Sequence, residues 1–402
     1  MTAPHTNTTT TAEPRLPDAG AVPSTAEPRP PGVGAVPGDT EAQLSAATRS
    51  DEAEERWISA HLFHFGDLDP LITAVVDPVT RELTADGTAR TAFFLRYWEG
   101  GQHVRLRLEV PDPARQPHVR ALIRERAAAH FAEHPSPPVD PAAYRTFAAT
   151  MARGERRTNY DDRLHPPGSV AFIGYRPEHE AYGDAACVAA AERHFAVSSR
   201  LALDVLRAGT EPARRTAIGL AALTIAIAAC EPDQQAAAHR LASAIREPSA
   251  PPFPGTSTPP SPGTSFTIAS GPASPGAATW TRTAMEEDWR RHETALLAQT
   301  RTLWDPPSTG LLATWASSIH TLRADLDALH AEGRCTPADS GSPHAFLARA
   351  APPEHRTVSL IVMRCVHLFH NRLGLRAGAE QQMSFLAARA VAGLADPRRW
   401  SP

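Results

Sequence analysis

A chain of 402 residues with 42% hydrophobic content has the length for two or three domains and enough apolar residues for a sizeable core, although 39 unevenly spread prolines reduce the part that folds. A net charge of −4 excludes an overall field that would draw the protein to nucleic acid or to an anionic membrane, and every basic residue is arginine. The four cysteines (Cys187, Cys230, Cys335 and Cys365) lie far apart without CxxC spacing, which argues against a disulfide framework or a zinc site and for a reducing cytoplasm.

Residues 1–50 are rich in Thr, Pro, Ala and Gly, lack aromatics and carry no basic n-region followed by an apolar h-region. They are predicted to be a disordered extension, not a secretory signal. Trp57 to Phe65 alternates as a strand and Leu68 to Val76 has helical spacing. The run from Phe93 to Leu108 predicts two strands joined at Gly100-Gly101. In the second strand, His103, Arg105, Arg107 and Glu109 share one face, while Val104, Leu106, Leu108 and Val110 share the other. The aliphatic face requires a core. The polar face either receives carboxylates, amide oxygens or phosphate, or lies solvated with nothing bound.

Pro111-Asp112-Pro113 stops that strand, and a helix is predicted over His118 to His134. Pro135 to Gly168 reads as polar and irregular, with a solvated arginine-rich loop over 153–157. Ser169 to Tyr175 predicts a short strand, and Asp184 is placed to cap a helix over Ala185 to Arg207. Further helices are expected over Ala213–Cys230 and Asp233–Arg246. The apolar run from Ala217 to Cys230 is short for a bilayer and reads as a buried helix. Residues 248–278, rich in Pro, Ser, Gly and Thr, predict a surface insertion between helices. Helices then follow over Trp280–Trp304, Leu311–Ala331, His355–Leu373 with Gly374 as its C-cap, and Ala379–Leu394. Strands early and helices late predict an α+β fold, one catalytic domain over 51–402. GxGxxG, GxxxxGK[ST] and HExxH are all missing, so nucleotide binding and zinc hydrolysis lose their usual support.

Three stretches carry more. Phe-Phe-Leu-Arg-Tyr-Trp-Glu-Gly-Gly-Gln-His-Val-Arg-Leu-Arg-Leu is followed by Tyr-Arg-Pro-Glu-His-Glu-Ala-Tyr-Gly-Asp and then by His-Leu-Phe-His-Asn-Arg-Leu-Gly. This order resembles the C-terminal domain of lantibiotic dehydratases, which also occurs as stand-alone thiopeptide biosynthesis proteins. The resemblance runs from about Trp57 to the C-terminus, excluding the proline-rich insertion. It implies a domain that removes glutamate from glutamylated Ser or Thr of a precursor peptide, leaving a dehydroamino acid. It also places Arg107, with Arg105, at an arginine that holds the leaving carboxylate, Glu178 at a loop acid and His367 at a late catalytic histidine. Such groups fit β-elimination, in which a base takes the α-proton and guanidinium groups stabilise developing negative charge. Asn371 follows His367 by four residues and is expected to orient it.

The departures decide between branches of the family. The arginine of the family's Glu-x-x-Arg loop falls on Ala181, its Gly-Gly becomes Gly183-Asp184, and its Asp-Ser pair becomes Ser198-Ser199. These changes cluster around the glutamate-binding motif. They favour the pyridine synthase branch, which joins two dehydroalanines in a formal [4+2] cycloaddition and then loses water and leader peptide. In that reading His367, Arg107, Arg105 and Glu178 are catalytic, while Arg96, His103, Tyr182, Ser198, Ser199 and Asn371 contact the substrate. No cofactor or metal is implied, and neither membrane nor nucleic acid is a partner. The implied partners are a precursor peptide and a separate glutamylating dehydratase subunit, with no oligomeric state implied. Two alternatives stay open: a split glutamate-elimination subunit in which Arg176 or another arginine replaces the missing one, and a non-catalytic module that binds the precursor's leader by β-augmentation.

Overall fold

Alternation of small or aliphatic residues with polar ones builds four strands in the first half of the chain: β1 (Trp57–Phe63), β2 (Thr91–Tyr97), β3 (His103–Glu109) and β4 (Ser169–Phe172). In the computed structural model they form one antiparallel sheet in the order β2-β3-β1-β4. The structure describes residues 56–154, 158–247, 281–339, 341–375 and 378–395, all within the unit Thr48–Pro402. The extension over 1–50, the insertion over 248–278 and part of the arginine-rich loop lie outside the described residues.

Register sorts the side chains. Leu106 sits between Ala60 and Phe94, so the aliphatic face also collects Ile58, Leu62, Val104 and Leu108, all buried. Arg107 sits between Ser59 and Phe93, on the face it shares with His61, Leu95, His103 and Arg105. That second face is not a solvated one, because His103 is 0% exposed and Arg107 8%. The β2–β3 turn depends on Gly100 and Gly101, with φ of 77° and 110°, and a Cβ on Gly101 would lie 2.6 Å from the Phe65 ring.

The helix expected over Leu68 to Val76 runs further, as α1 (Leu68–Leu71), a π-helical turn at Ile72–Val76 and α2 (Asp77–Ala85). After α3 (Gln116–Glu133), the segment expected to be irregular contains α4 (Pro141–Gly154). The reason was present locally. Asp140 accepts hydrogen bonds from the N–H groups of Ala142 and Ala143, Pro141 sits in the first turn, and Tyr144, Ala148 and Ala152 recur at helical spacing against Trp98. Tyr144 also ties this helix to the hairpin: its hydroxyl accepts from Gly101 N–H at 3.0 Å and donates to the Trp98 carbonyl at 3.2 Å.

The second half is helical: α5 (His179–Tyr182), α6 (Ala185–Arg207), α7 (Pro212–Cys230), α8 (Gln234–Arg246), α9 (Arg282–Leu303), α10 (Leu311–Ala331), α11 (Arg356–Leu373) and α12 (Ala379–Gly393). Asp184 caps α6 through the N–H groups of Ala186 and Cys187, and Gly374 ends α11 in the left-handed region. Helix α7 is long and apolar enough to span a membrane, but 61% of that window is buried inside the protein. Its small residues admit close neighbours, and the Trp315 indole donates to the Ala222 carbonyl at 2.9 Å while stacking on Phe369. Helices α6 and α11 lie against β2, which brings the late helical motifs to the sheet.

Candidate active site

Arg107 leaves β3 on the polar face and passes over the Tyr175 ring at 4.4 Å, with Phe93 at 5.6 Å. Its Nε is buried with no hydrogen-bond partner, and it forms no ion pair among the described residues. A buried guanidinium usually has a carboxylate or carbonyl to receive it. Here it faces a small cleft of about 10 Å³ lined by Leu95, Tyr175, Glu178, Tyr182, Phe195 and Leu368. The cleft therefore presents donors to a ligand.

Behind Arg107 the Tyr175 hydroxyl donates to the Glu192 carboxylate. Burial pushes the Glu192 carboxyl up from its ordinary value and raises the Tyr175 phenol, whose ionisation the neighbouring Glu192 further opposes. Tyr175 lines the cleft, and Glu192 lies behind it. Neither residue stands out in sequence, since Tyr175 only ends a strand and Glu192 only occupies a helix turn.

Glu178 reaches the cleft from the turn before α5, where it meets Arg364 of α11 at 3.0 Å. Arg364 also donates to the Tyr182 hydroxyl at 3.3 Å and to the Gly341 carbonyl at 3.0 Å. Tyr182 is 2% exposed, and burial raises its phenol well above the ordinary range. Ala181, where the family pattern has arginine, is 4% exposed and packed in the main core. His367 and Leu368 follow Arg364 by three and four residues, on the same side of α11. The Nδ1–H of His367 donates to both oxygens of Glu380 at 2.9 and 3.1 Å. Glu380, not Asn371, orients this imidazole.

Asn371 does something else. Strand β2 is an edge strand, and its outward backbone groups at Phe94 and Arg96 need partners. Ser199 Oγ accepts from Phe94 N–H at 3.2 Å, and Arg372 Nε donates to the Phe94 carbonyl at 2.8 Å. Asn371 accepts from Arg96 N–H and donates to the Arg96 carbonyl, both at 2.9 Å. Ser198, 0% exposed, accepts from Arg372 at 3.2 Å and donates to the His194 carbonyl at 2.9 Å. The Arg96 side chain pairs with Asp69 at 2.6 Å and donates to the Arg372 carbonyl. Four residues expected to contact substrate (Arg96, Ser198, Ser199 and Asn371) thus close the sheet edge, and none of them lines the cleft.

Two others flank it. His103 Nδ1–H donates to the Gly101 carbonyl at 2.7 Å, so its Nε2 lone pair accepts from Arg105 Nε at 3.1 Å. Burial, and then the Arg105 charge, push His103 down to about 3, so it is neutral at physiological pH. Arg105 lies 3.4 Å over the Tyr97 ring and 3.6 Å from Glu99. Arg176 is exposed and away from the cleft lining. A larger groove of about 480 Å³ runs between α6 and α10, but none of the residues singled out in the sequence lines it. The groups that can do chemistry together are Arg107, Tyr175, Glu178, Tyr182 and Glu192, with His367 one residue from the Leu368 wall.

An α+β domain with a small cleft beside Arg107, between a four-stranded sheet and a helical half, defines the class. The chain belongs to the lantibiotic biosynthesis dehydratase C-terminal family, whose model matches residues 57–391. Among solved structures it resembles the pyridine synthase TbtD from thiomuracin biosynthesis, at 20% identity and a TM-score of 0.59, over 85% of this chain and 99% of that one. It also resembles TsrL, at 18% identity and a TM-score of 0.51, over 86% of this chain and 99% of that one. At these identities the likeness is one of fold. No curated protein sequence matches the chain.

Proposed function

We propose that this protein matures a ribosomally synthesised, thiopeptide-type precursor by joining two dehydroalanines into a six-membered nitrogen heterocycle, a formal [4+2] cycloaddition followed by loss of water and of the leader peptide. The observation that carries this reading is the charge inventory of the cleft. One guanidinium, Arg107, stands unpaired, while the family's second arginine position holds the buried methyl of Ala181. Eliminating glutamate needs cations for a departing carboxylate, whereas a peptide amide oxygen needs one good donor. Arg107 polarises that oxygen, and the Tyr175–Glu192 pair and Tyr182 supply hydroxyl groups beside it. His367, held by Glu380, exchanges the protons that accompany loss of water and of the leader's amide. No cofactor acts on the substrate in this scheme. Its partners are the precursor peptide and an upstream glutamylating dehydratase subunit that installs the dehydroalanines, and it takes place in the cytoplasm.

One observation favours the second reading, glutamate elimination. Arg364 brings a cation to the Glu178 loop from α11, near the space vacated at position 181. It is paired there with Glu178, which offsets its charge. Incubating the protein with a linear bis-dehydroalanine precursor and with a glutamylated precursor separates the readings by mass. The expected result is a macrocycle plus free leader from the first and no change in the second. Release of glutamate from the second would transfer the assignment to elimination. Retention of both peptides without a mass change would leave only a binding module.

A further inference from the structure

Next to His367, but outside the cleft, three side chains from separate elements converge in the helical half. His344 Nε2 lies 3.0 Å from His370 Nδ1, and each lies 3.3 Å from Glu380 Oε1. Both imidazoles are buried, at 0% and 1% exposure, while Glu380 keeps 23% of its side chain accessible. Hydrogen bonds behind the rings fix which nitrogen carries the proton. His370 Nε2 lies 3.0 Å from the Gly219 carbonyl, an acceptor only, so Nε2 is protonated and Nδ1 holds a lone pair. Ser384 Oγ donates to the Pro343 carbonyl and therefore accepts from His344 Nδ1–H at 2.6 Å, which leaves the lone pair on His344 Nε2. Two nitrogen lone pairs and a carboxylate oxygen thus point at one another.

We propose that His344, His370 and Glu380 form a binding site for a divalent transition-metal ion, with zinc as the best chemical match. Around a tetrahedral zinc with bonds of about 2.0–2.1 Å, ligand atoms sit roughly 3.3 Å apart, close to the triangle seen here. Two neutral imidazoles and one carboxylate are a zinc-type ligand set that leaves a fourth position for water. The Gly219 carbonyl and the Ser384–Pro343 relay are the outer hydrogen bonds that set ligand tautomers in such sites. Gly219 is what allows His370 to lie against α7, since a Cβ there would come within 3.1 Å of the ring. Glu380 would then bridge the ion and His367 Nδ1, so the metal acts as a positioning element for the histidine at the cleft. His344 and His370 escape sequence spacing because one lies in the turn before the 3-10 helix Ala345–Ala350 and the other 26 residues later in α11.

The test uses the full chain, stripped with a chelator and dialysed, then titrated with zinc(II) by calorimetry and with cobalt(II) by visible absorption. The expected result is one ion per chain, tetrahedral cobalt bands and a rise in Tm with zinc. His344→Gln and Glu380→Gln should each abolish the cobalt bands. Ser384→Ala, which touches no ion, should weaken binding about 10- to 100-fold while leaving one ion per chain. Folded wild-type protein that takes up no zinc would overturn the proposal, as would cobalt bands that survive unchanged in folded His344→Gln. If the ligand variants do not fold, the wild-type stoichiometry and the Ser384→Ala affinity decide alone. Zinc uptake is read without peptide, so its failure is separate from failure of the cycloaddition reading.

Discussion

Two polar regions border β2, and they differ in how they are paired. Along its outer edge, the N–H and carbonyl groups of Phe94 and Arg96 all meet side chains of Ser199, Asn371 and Arg372, and the Arg96 guanidinium meets Asp69. On the sheet face, Arg107 has an orphan Nε, lies over the Tyr175 and Phe93 rings and lines the cleft with Glu178. Of that edge set, Arg372 Nη2 has no hydrogen-bond partner; a set this nearly saturated holds two layers together, because removing any one strands its partner in a dry place. An unsaturated one is a cost to folding that persists where a ligand supplies the missing acceptor. The difference separates architecture from chemistry among arginines that look alike in sequence.

That contrast can be broken by substitution. Arg107→Met keeps the side-chain stem against Tyr175 and removes the donors. Turnover of the bis-dehydroalanine peptide should fall about 10²–10³-fold, equivalent to about 2.7–4 kcal/mol, with little change in the urea midpoint. A large loss of stability instead would move Arg107 to the architectural side. Asp69→Asn should do the reverse. Asp69 receives Arg96 at 2.6 Å and Arg215 at 2.5 Å, so its loss leaves two guanidiniums without their charge and should cost about 3 kcal/mol in equilibrium unfolding.

Asn371→Ala tests the seam directly, since it strips partners from both backbone groups of Arg96. It should cost about 2 kcal/mol in stability, yet well below its Tm it should leave kcat near wild type, as expected if Glu380 and not Asn371 orients His367. Loss of kcat without loss of stability would reverse that assignment. The same sheet face also carries an effect of pH. His61 stacks on His103 at 4.9 Å, and burial together with Arg105 pushes them down to about 2 and about 3, with Arg107 and His165 adding the same sense. Unfolded histidine titrates near 6.5, so below that pH the unfolded chain binds more protons and the folded state loses stability. Urea midpoints should therefore fall as pH drops from 6.5 towards 3, by up to about 1.4 kcal/mol per unit for each histidine. His61→Gln should flatten that slope by one histidine's share.

Local chemistry was enough for most of the elements. Gly100-Gly101 with strict alternation specified the hairpin, Asp184 and Gly374 specified where α6 begins and α11 ends, and the apolar run in α7 announced its burial. Helix α4 carried the same kind of signal in Asp140, Pro141 and the Tyr144 stripe, but its polar surroundings concealed it. The site was legible only in part. Arg107, Glu178 and Tyr182 line one cleft as the ordered motifs implied, while Ser198, Ser199, Asn371 and Arg96 turned to the sheet edge. A motif marks residues that serve the fold and residues that serve the reaction in the same letters. Which is which depends on the partner across the gap. Tyr175 with Glu192, Arg364 with Glu178 and Glu380 with its three histidines come from elements distant in the chain. Periodicity and capping act within a few residues, so the sequence by itself determined the strands, the helices and the family to which they belong. Pairing between distant side chains is decided by packing, so only the tertiary structure determined that Arg107 faces the cleft with an unpaired Nε and that His344, His370 and Glu380 meet.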